Sequence, residues 1–252
     1  MRDLSGKTVI VVGASRGLGH GIALSFREAG ANVVAVARTE AQFPASTGNA
    51  GAIRTERADA GDAAVAARLL EEHRPDIVVL VAGAIPHMAP LSQQTWESFS
   101  LNWQTDVRVA FQWLREILLN PLRSGSRVVV ISSGAALGGS PLSGGYAGAK
   151  ATQRFIAAYA QDEAKRAGLG ITFTTILPRF SPETGVGGPA VDAYAARSGQ
   201  SREEYLRSIV QSAGPLVTPE IAGSVLVDLV AEDAVNVSPA YLLSGDGLKK
   251  LP

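Results

Sequence analysis

A tyrosine and a lysine stand four residues apart in the segment Tyr146-Ala147-Gly148-Ala149-Lys150. Residues at this spacing share one face of a helix, so a phenol and an ammonium would be neighbours. A cation about 5 Å away, at an effective dielectric of about 20, stabilises a phenolate by roughly 3 kcal/mol and makes the phenol a usable acid or base. The pair alone is weak support for catalysis, because a core tyrosine beside a solvated lysine gives the same spacing.

The residues before this pair strengthen the catalytic interpretation. Ser132 and Ser133 end a strand-like run. A loop rich in glycine then leads to Tyr146. Ser133 taken singly could also serve only to cap the end of its strand.

A glycine-rich turn, Gly13-Ala14-Ser15-Arg16-Gly17-Leu18-Gly19, follows the first strand-like run and opens a helical pattern. Glycines allow a ligand to approach the backbone, and a helix N-terminus offers free N–H groups and a positive dipole end to a pyrophosphate. We therefore predict a dinucleotide site here. The alternative is that the glycines only permit tight packing of strand on helix.

The end of the second strand bears on which dinucleotide binds. A cofactor with a free ribose 2′-hydroxyl calls for an acidic residue there, whereas this chain has Ala37 and Arg38. Arg38 and Arg16 could pair with a 2′-phosphate, so we predict NADP(H) in preference to NAD. Two alternatives stay open: that both arginines are solvated surface charges, and that Glu40 serves a 2′-hydroxyl.

Composition excludes several classes of protein. Hydrophobic residues make up 46% of the 252-residue chain and charged residues 18%, with 23 Lys+Arg against 23 Asp+Glu, which argues against a disordered chain and a strongly cationic nucleic-acid binder. The absence of cysteine excludes disulfides, thiolate metal sites and cysteine nucleophiles. Three scattered histidines argue against a histidine-rich metal site, so we predict no metal.

The location of the protein is predicted from two absences. No charged leader with an apolar core and a cleavage site opens the chain. The longest apolar run, residues 77–85, is far shorter than the roughly 18 residues that a membrane span needs. We predict a cytoplasmic protein that binds neither membrane nor nucleic acid.

The elements that must position these residues alternate between strand and helix. Short runs rich in Val, Ile and Leu predict strands at residues 9–12, 32–37, 77–81, 127–132, 171–177 and 240–244. Helical patterns lie between them, and Thr218 with Pro219 predicts the start of a late helix. This order predicts an α/β fold, a doubly wound parallel sheet with helices on both faces and ligands beyond the carboxyl ends of its strands.

We predict one dinucleotide-binding and catalytic domain over residues 1–252. The segment that starts at Pro178 is enriched in glycine and proline, and a helical stretch follows around residues 201–212. This segment, residues 178–217, is predicted to be a substrate lid.

The chain resembles the single-domain branch of the short-chain dehydrogenase/reductase family over essentially its whole length, which implies a Rossmann-like fold. Four features carry the resemblance, in order and spacing: the Gly13-x-x-x-Gly17-x-Gly19 turn, Asn102 in Leu101-Asn102-Trp103, Ser133 thirteen residues before Tyr146, and Tyr146-x-x-x-Lys150. Agreement of all four by accident is negligible.

The resemblance implies a role for each catalytic candidate. Tyr146 would be the general acid or base for a carbonyl/alcohol pair, and Ser133 would hydrogen-bond the same oxygen. Lys150 would hold the nicotinamide ribose hydroxyls and favour ionisation of Tyr146. Asn102 would anchor a water that relays protons from Lys150, although an asparagine there could merely kink its helix.

The resemblance also extends the cofactor site. Asp59 resembles the acidic residue after the third strand that contacts adenine, with a solvated loop aspartate as the alternative. The predicted cofactor-binding set is Gly13, Ser15, Arg16, Gly17, Leu18, Gly19, Arg38, Asp59, Ala82, Gly83, Tyr146, Lys150, Pro178, Arg179 and Thr184.

Two segments depart from the family pattern. Leu80-Val81 stands where two asparagines commonly precede the Ala-Gly pair, and Arg179 follows Pro178 where glycine is usual. Thr184, the expected partner for the cofactor amide or pyrophosphate, stands one residue later than is usual in the family. We hypothesise that Arg179 faces the cofactor phosphates or an anionic group of the substrate.

These observations predict an NADP(H)-dependent oxidoreductase that interconverts a ketone and a secondary alcohol by hydride transfer, acting on a small carbonyl or alcohol substrate. The alternatives are a catalytically silent nucleotide or redox sensor on the same fold, and an epimerase.

The helix bearing Asn102 carries an apolar series, interpreted as core: Trp96, Phe99, Trp103, Val107, Phe111 and Leu114. The resemblance implies that this helix and the Tyr146 helix could also form the contact of a homodimer or homotetramer.

Overall fold

The computed structural model describes residues 2–46 and 50–251, and within these ranges eight strands form one sheet. The strands are β1 (Thr8–Val12), β2 (Asn32–Ala37), β3 (Ile53–Arg57), β4 (Ile77–Leu80), β5 (Arg127–Ile131), β6 (Thr172–Pro178), β7 (Ala240–Ser244) and β8 (Gly247–Leu251). Their order in the sheet is β3-β2-β1-β4-β5-β6-β7-β8. All neighbours pair in parallel except β7 with β8.

Helices follow most strands. They are α1 (Gly17–Glu28), α2 (Ala63–His73), α3 (Trp96–Asn102), α4 (Arg108–Leu119), α5 (Ala135–Gly138), α6 (Tyr146–Arg166), α7 (Gly187–Arg197), α8 (Arg202–Ala213) and α9 (Pro219–Val230). Single 3-10 turns occupy Leu91–Gln93 and Ala234–Asn236, and a π turn, Trp103–Val107, separates α3 from α4.

The predicted fold class is confirmed. The six predicted strands agree with the structure to within one residue at each end. The apolar runs of the sequence did not predict β3 and β8. Each of these strands lies at an edge of the sheet and has exposed polar residues, so it does not need an apolar sequence. The order of strands reverses between β1 and β4, which is where a doubly wound sheet binds its ligand.

Apolar side chains cover both faces of the sheet. On one face α1 and α9 pack together, with Phe26 and Leu226 fully buried. On the other face α2, α4 and α6 contribute Leu69, Trp113 and Ala157. Burial on both sides explains why the central strands are continuously apolar.

Local signals explain where two late helices begin. The Thr218 side chain accepts a hydrogen bond from the Ile221 amide, with Pro219 at the first helical position, as the sequence predicted. Ser201 and Glu204 form a reciprocal capping box that starts α8.

Among the residues that the structure describes, none of the helices is both long enough and apolar enough to cross a membrane.

The helix predicted to carry Asn102 differs from expectation in two ways. It is interrupted by the π turn, and its apolar series is not all core. Trp96, Trp103 and Phe111 are 71%, 42% and 51% exposed, respectively. The interpretation of these three side chains as core was wrong, because each is exposed in the folded chain.

Candidate active site

A cavity of about 1000 Å³ opens at the carboxyl ends of the parallel strands. It is lined by every residue of the predicted cofactor set and by Ser133. Asn102 is the predicted site residue that does not line it. The fold therefore brings residues from the first strand to the lid into one space, since parallel strands present their carboxyl ends at the same edge.

The glycine-rich turn lies at the base of this cavity. Gly13 has φ +97°, and a Cβ there would come within 2.6 Å of the Ala82 backbone, so only glycine fits. Gly17 has φ +55°. Helix α1 begins at Gly17, and no side chain caps its N-terminus. Its first N–H groups are thus available to an anion.

Basic side chains flank the turn. Arg16 and Arg38 are both exposed at the cavity wall, and neither pairs with a carboxylate among the described residues. Asp59, just beyond β3, also lines the cavity and accepts a hydrogen bond from the Gly61 amide at 3.0 Å. The unpaired guanidiniums give this end of the cavity a positive charge.

The catalytic candidates meet at the other end. Tyr146 is the first residue of α6, and Lys150 follows one turn later with its Nζ 5.6 Å from the centroid of the Tyr146 ring. Ser133 lies in the segment directly after β5 and accepts a hydrogen bond from the Ala135 amide at 3.2 Å. The Ser132 hydroxyl donates to the Lys150 carbonyl at 2.7 Å, which ties the end of β5 to α6. Ser132 is thus structural, and Ser133 faces the cavity.

Lys150 is only 5% exposed and is surrounded by polar atoms. Its Nζ lies 3.1 Å from Asp106 Oδ2, donates to Gln153 Oε1 at 3.0 Å and contacts the Ile131 carbonyl at 3.4 Å. Burial by itself lowers the pKa of a lysine, but the Asp106 carboxylate and Tyr146 outweigh burial and raise the pKa of Lys150 above its ordinary value of 10.5. Lys150 is therefore a charged ammonium at neutral pH.

The side chain in contact with Lys150 is Asp106, a residue outside the predicted catalytic set. Asn102 Nδ2 donates to the Ala84 carbonyl at 2.9 Å and to Asp106 Oδ1 at 3.2 Å, so Asn102 stands behind Asp106 and makes no direct contact with Lys150. The role of Asn102 in anchoring a water between Lys150 and solvent stays a prediction. Asp106 was missed, although a polar residue four positions after Asn102 on a predicted helix was a usable signal.

The π turn explains how Asp106 reaches the site. A π turn inserts one residue into a helix, and such turns are frequent at functional sites. Asp106 lies within this turn and is completely buried. The partner of its Oδ2 among the described residues is the Lys150 ammonium at 3.1 Å, and a Cβ at Gly83 would approach this oxygen to 2.7 Å. Gly83 is thus required for Asp106 to fit.

Two residues after β6 make contacts that the sequence did not predict. The Arg179 guanidinium lines the cavity but donates a hydrogen bond to the Ala213 carbonyl at the end of α8. It therefore joins the start of the predicted lid, directly after β6, to the end of α8 within the same segment. The Thr184 hydroxyl donates to the Ser181 carbonyl at 2.8 Å and accepts from the Gly187 amide at 2.9 Å, which starts α7 above the glycine-rich turn.

Aromatic residues of α7 and α8 were also missed. The rings of Tyr194 and Tyr205 stack with centroids 6.4 Å apart, and both line the cavity. The Tyr194 hydroxyl is 2.7 Å from Ser140 Oγ in the loop before Tyr146. Burial raises the pKa of Tyr205 above its ordinary value of 10.0. No local pattern marks Tyr194, because its hydrogen-bond partners are more than fifty residues away.

The residues present fit a nicotinamide dinucleotide. The glycine-rich turn leaves helix N–H groups open for a pyrophosphate, and Arg16 and Arg38 supply positive charge. Ser181, which also lines the cavity, is 6% exposed, and its hydroxyl has no partner among the described residues. An unpaired buried hydroxyl in a cavity wall is a ready partner for a polar ligand.

Comparison with known proteins agrees with this geometry. A family described as short chain dehydrogenase matches residues 7–191. A hydroxynaphthalene reductase-like protein, Arp2, of Metarhizium majus is 28% identical over 98% of this chain and 96% of its own length. The 2,3-dihydro-2,3-dihydroxybenzoate dehydrogenase of Escherichia coli is 34% identical over 53% of this chain and 54% of its own length.

Solved structures share the fold. A short chain dehydrogenase from Mycobacterium avium superposes with a TM-score of 0.74 at 20% identity, over 100% of this chain and 86% of that one. A protein described as an NAD(P)-dependent gluconate 5-dehydrogenase from Beutenbergia cavernae, with NADP bound at low occupancy, has a TM-score of 0.72 at 25% identity over 96% of both chains. With its family match, its cavity and its strand order, the chain belongs to the short-chain dehydrogenase family of oxidoreductases.

Proposed function

We propose that the protein is an NADP(H)-dependent oxidoreductase that interconverts a ketone and a secondary alcohol. The observation that carries the proposal is the convergence of Ser133, Tyr146 and Lys150 on the cavity whose base is the glycine-rich turn. Reduction of a carbonyl by a bound dinucleotide uses proton donors at the carbonyl oxygen and an anion site for the pyrophosphate. The lining of this cavity offers both.

Each side chain has a distinct task in this proposal. Tyr146 donates its proton to the carbonyl oxygen during reduction and takes it back during oxidation. Ser133 hydrogen-bonds the same oxygen and stabilises the charge that develops on it. Lys150 stabilises the ionised form of Tyr146 through its charge, and it donates to a ribose hydroxyl by giving up its long 3.4 Å contact with the Ile131 carbonyl. The nicotinamide ring, when bound, supplies or accepts the hydride.

The preference for NADP(H) rests on the charge at the adenine end of the cavity. Arg16 and Arg38 are free of carboxylate partners among the described residues, so both guanidiniums are available to a 2′-phosphate. Glu40 also lines this end but lies beyond Arg38 in the chain. Two guanidiniums against one carboxylate in the lining of the cavity favour the phosphorylated ribose.

Residues 178–217 are proposed as a substrate lid on a single catalytic domain. The lid contributes Phe180, Tyr194 and Tyr205 to the cavity, so it presents aromatic rings in front of the catalytic residues. Specificity for the carbonyl compound is expected to reside in these side chains.

A homodimer is proposed through the apolar surface of α3, α4 and α6. Trp103 and Phe111 are joined there by Phe155 and Tyr159, which are 58% and 61% exposed. Large exposed aromatic side chains in one area are typical of protein interfaces. A second copy of the chain presents the same surface, as a two-fold dimer requires.

The test is a spectrophotometric assay of NADPH consumption with a panel of ketones, for the wild type and for Tyr146→Phe. Loss of the general acid should lower kcat by about 10²–10⁴-fold. The dissociation constant for NADPH should stay within about twofold, because the ring of the residue is kept. A variant that turns over as fast as the wild type would refute the proposal, as would a wild-type protein that binds neither cofactor.

A further inference from the structure

A closed cluster of polar side chains lies behind the lysine of the site. Asp106, Gln153 and Lys150 are 0%, 2% and 5% exposed, respectively. Lys150 Nζ contacts both partners, and Gln153 Nε2 donates back to the Asp106 carbonyl oxygen at 2.9 Å. The ammonium cannot turn away without leaving a buried carboxylate unpaired, which is strongly unfavourable.

The carboxylate itself is held in place. The Ala84 amide, the Thr105 hydroxyl and Asn102 Nδ2 all donate to Oδ1 of Asp106, at 2.8, 2.9 and 3.2 Å. Oδ2 is left to the lysine at 3.1 Å. One oxygen anchors the side chain to the end of β4 and to the helix, while the other faces the ammonium.

The charge of the lysine depends on this arrangement. The ionisable groups that act on Lys150 are Asp106 from the π turn and Tyr146 from α6 itself. Gln153 and the carbonyl of Ile131 are neutral. Because a buried lysine without a carboxylate tends to lose its proton, the Asp106 carboxylate is what keeps this ammonium charged.

We propose that Asp106 is a positioning residue which, with Gln153, keeps Lys150 charged and directed toward the cofactor and Tyr146. The inference rests on the proposed function of Lys150 as a cofactor contact. It assigns to a buried carboxylate outside the predicted catalytic set a specific task in the site.

The first test compares the stability of Asp106→Asn and wild type by urea unfolding from pH 7 to pH 10. In the variant, burial should lower the pKa of Lys150, so the unfolded chain binds more protons than the folded chain below the ordinary value of 10.5. The stability of the variant should therefore rise with pH, and its deficit against wild type should shrink toward pH 10. Thr105→Val, which removes one hydrogen bond from Asp106 and no charge, should show a deficit that does not change with pH.

The second test measures NADPH binding by fluorescence at the same pH values. Loss of the fixed ammonium should weaken binding by Asp106→Asn about tenfold, and the loss should grow as pH rises through the lowered pKa of Lys150. A deficit in stability that does not vary with pH, or an NADPH affinity equal to that of wild type, would overturn the proposal.

The double variant Asp106→Asn/Lys150→Met covers the case in which the single variant does not fold. It contains no unpaired buried charge, so it should fold, and a double variant that also fails would overturn the proposal by showing a purely structural role. Wild type that binds neither nicotinamide cofactor would instead refute the proposed function. The stability comparison would still report whether the charge of Lys150 depends on Asp106.

Discussion

The hydroxyl of Tyr194 in α7 lies 2.7 Å from Oγ of Ser140 and accepts a hydrogen bond from the Leu142 amide at 3.2 Å. Ser140 and Leu142 belong to the loop that leads from Ser133 to Tyr146. Helix α7 of the proposed lid is therefore attached to the loop between Ser133 and Tyr146, and a movement of α7 would be transmitted to that loop.

Tyr194→Phe tests this attachment. Removing the hydroxyl should lower kcat/KM for the ketone by about two- to tenfold, because a typical hydrogen bond contributes about 0.5–1.5 kcal/mol. Steady-state kinetics would measure the change. Tyr205→Phe is the matched control, since the Tyr205 hydroxyl has no hydrogen bond to a described residue while its ring makes the same stack. Equal effects of the two variants would contradict the role given to Tyr194.

Arg38→Ala tests the cofactor preference. The ratio of kcat/KM with NADPH to that with NADH should fall about 10- to 100-fold, because a hydrogen bond to a charged group contributes about 1.5–3 kcal/mol. Arg54→Ala is a suitable control, since Arg54 pairs with Glu56 outside the cavity. An unchanged ratio of kcat/KM values in the Arg38 variant would show that this guanidinium does not bind the 2′-phosphate of the cofactor.

Gly83→Ala should lower the free energy of unfolding by about 1–3 kcal/mol, the usual cost of overpacking. The added methyl group would lie 2.7 Å from Asp106 Oδ2. Chemical denaturation would measure the loss. Gly138→Ala provides a comparison, because a Cβ there has no neighbour within 4 Å. Similar stability of the two variants would mean that the Asp106 carboxylate can move aside.

The pair of Lys150 and Asp106 predicts a dependence of stability on high pH. The folded-state pKa of Lys150 is raised above 10.5, so this group's contribution is complete below the unfolded value and is lost as pH rises through the folded value. Relative to Asp106→Asn/Lys150→Met, the wild type should thus lose stability only above about pH 10.5, by at most about 1.4 kcal/mol per pH unit. Urea unfolding between pH 8 and 11.5 would measure it, and a difference that already declines between pH 8 and 10 would contradict the assignment.

Phe155→Lys should weaken the proposed dimer, because a charge in the middle of an apolar contact is costly to bury. Size-exclusion chromatography with light scattering should show a shift from dimer toward monomer. Val235→Lys is the control, since Val235 is 91% exposed in the turn before β7, away from α4 and α6. An unchanged dimer in the Phe155 variant would place the interface elsewhere.

Much of the fold could be predicted because the relevant signals are local. Apolar runs without alternation indicated the central strands, and Thr218 with Pro219 indicated the start of α9. The edge strands β3 and β8 escaped because a strand with one unpaired edge and an exposed face does not need an apolar sequence. Trp103 and Phe111 were predicted to be core but are exposed. An apolar stripe on a helix fits a core and an interface equally well, so the pattern could not distinguish the two.

The sequence by itself determined the glycine-rich turn before α1 and the placement of Tyr146 and Lys150 on one face of a helix, because both follow from spacing within a few residues. Only the tertiary structure decided that Asp106 and not Asn102 contacts Lys150, and that Arg179 reaches Ala213. These contacts depend on an inserted residue in a helical turn and on the docking of distant elements. Neither contact can be predicted from local spacing, since both arise from how the helices and residues 178–217 pack against the carboxyl edge of the sheet.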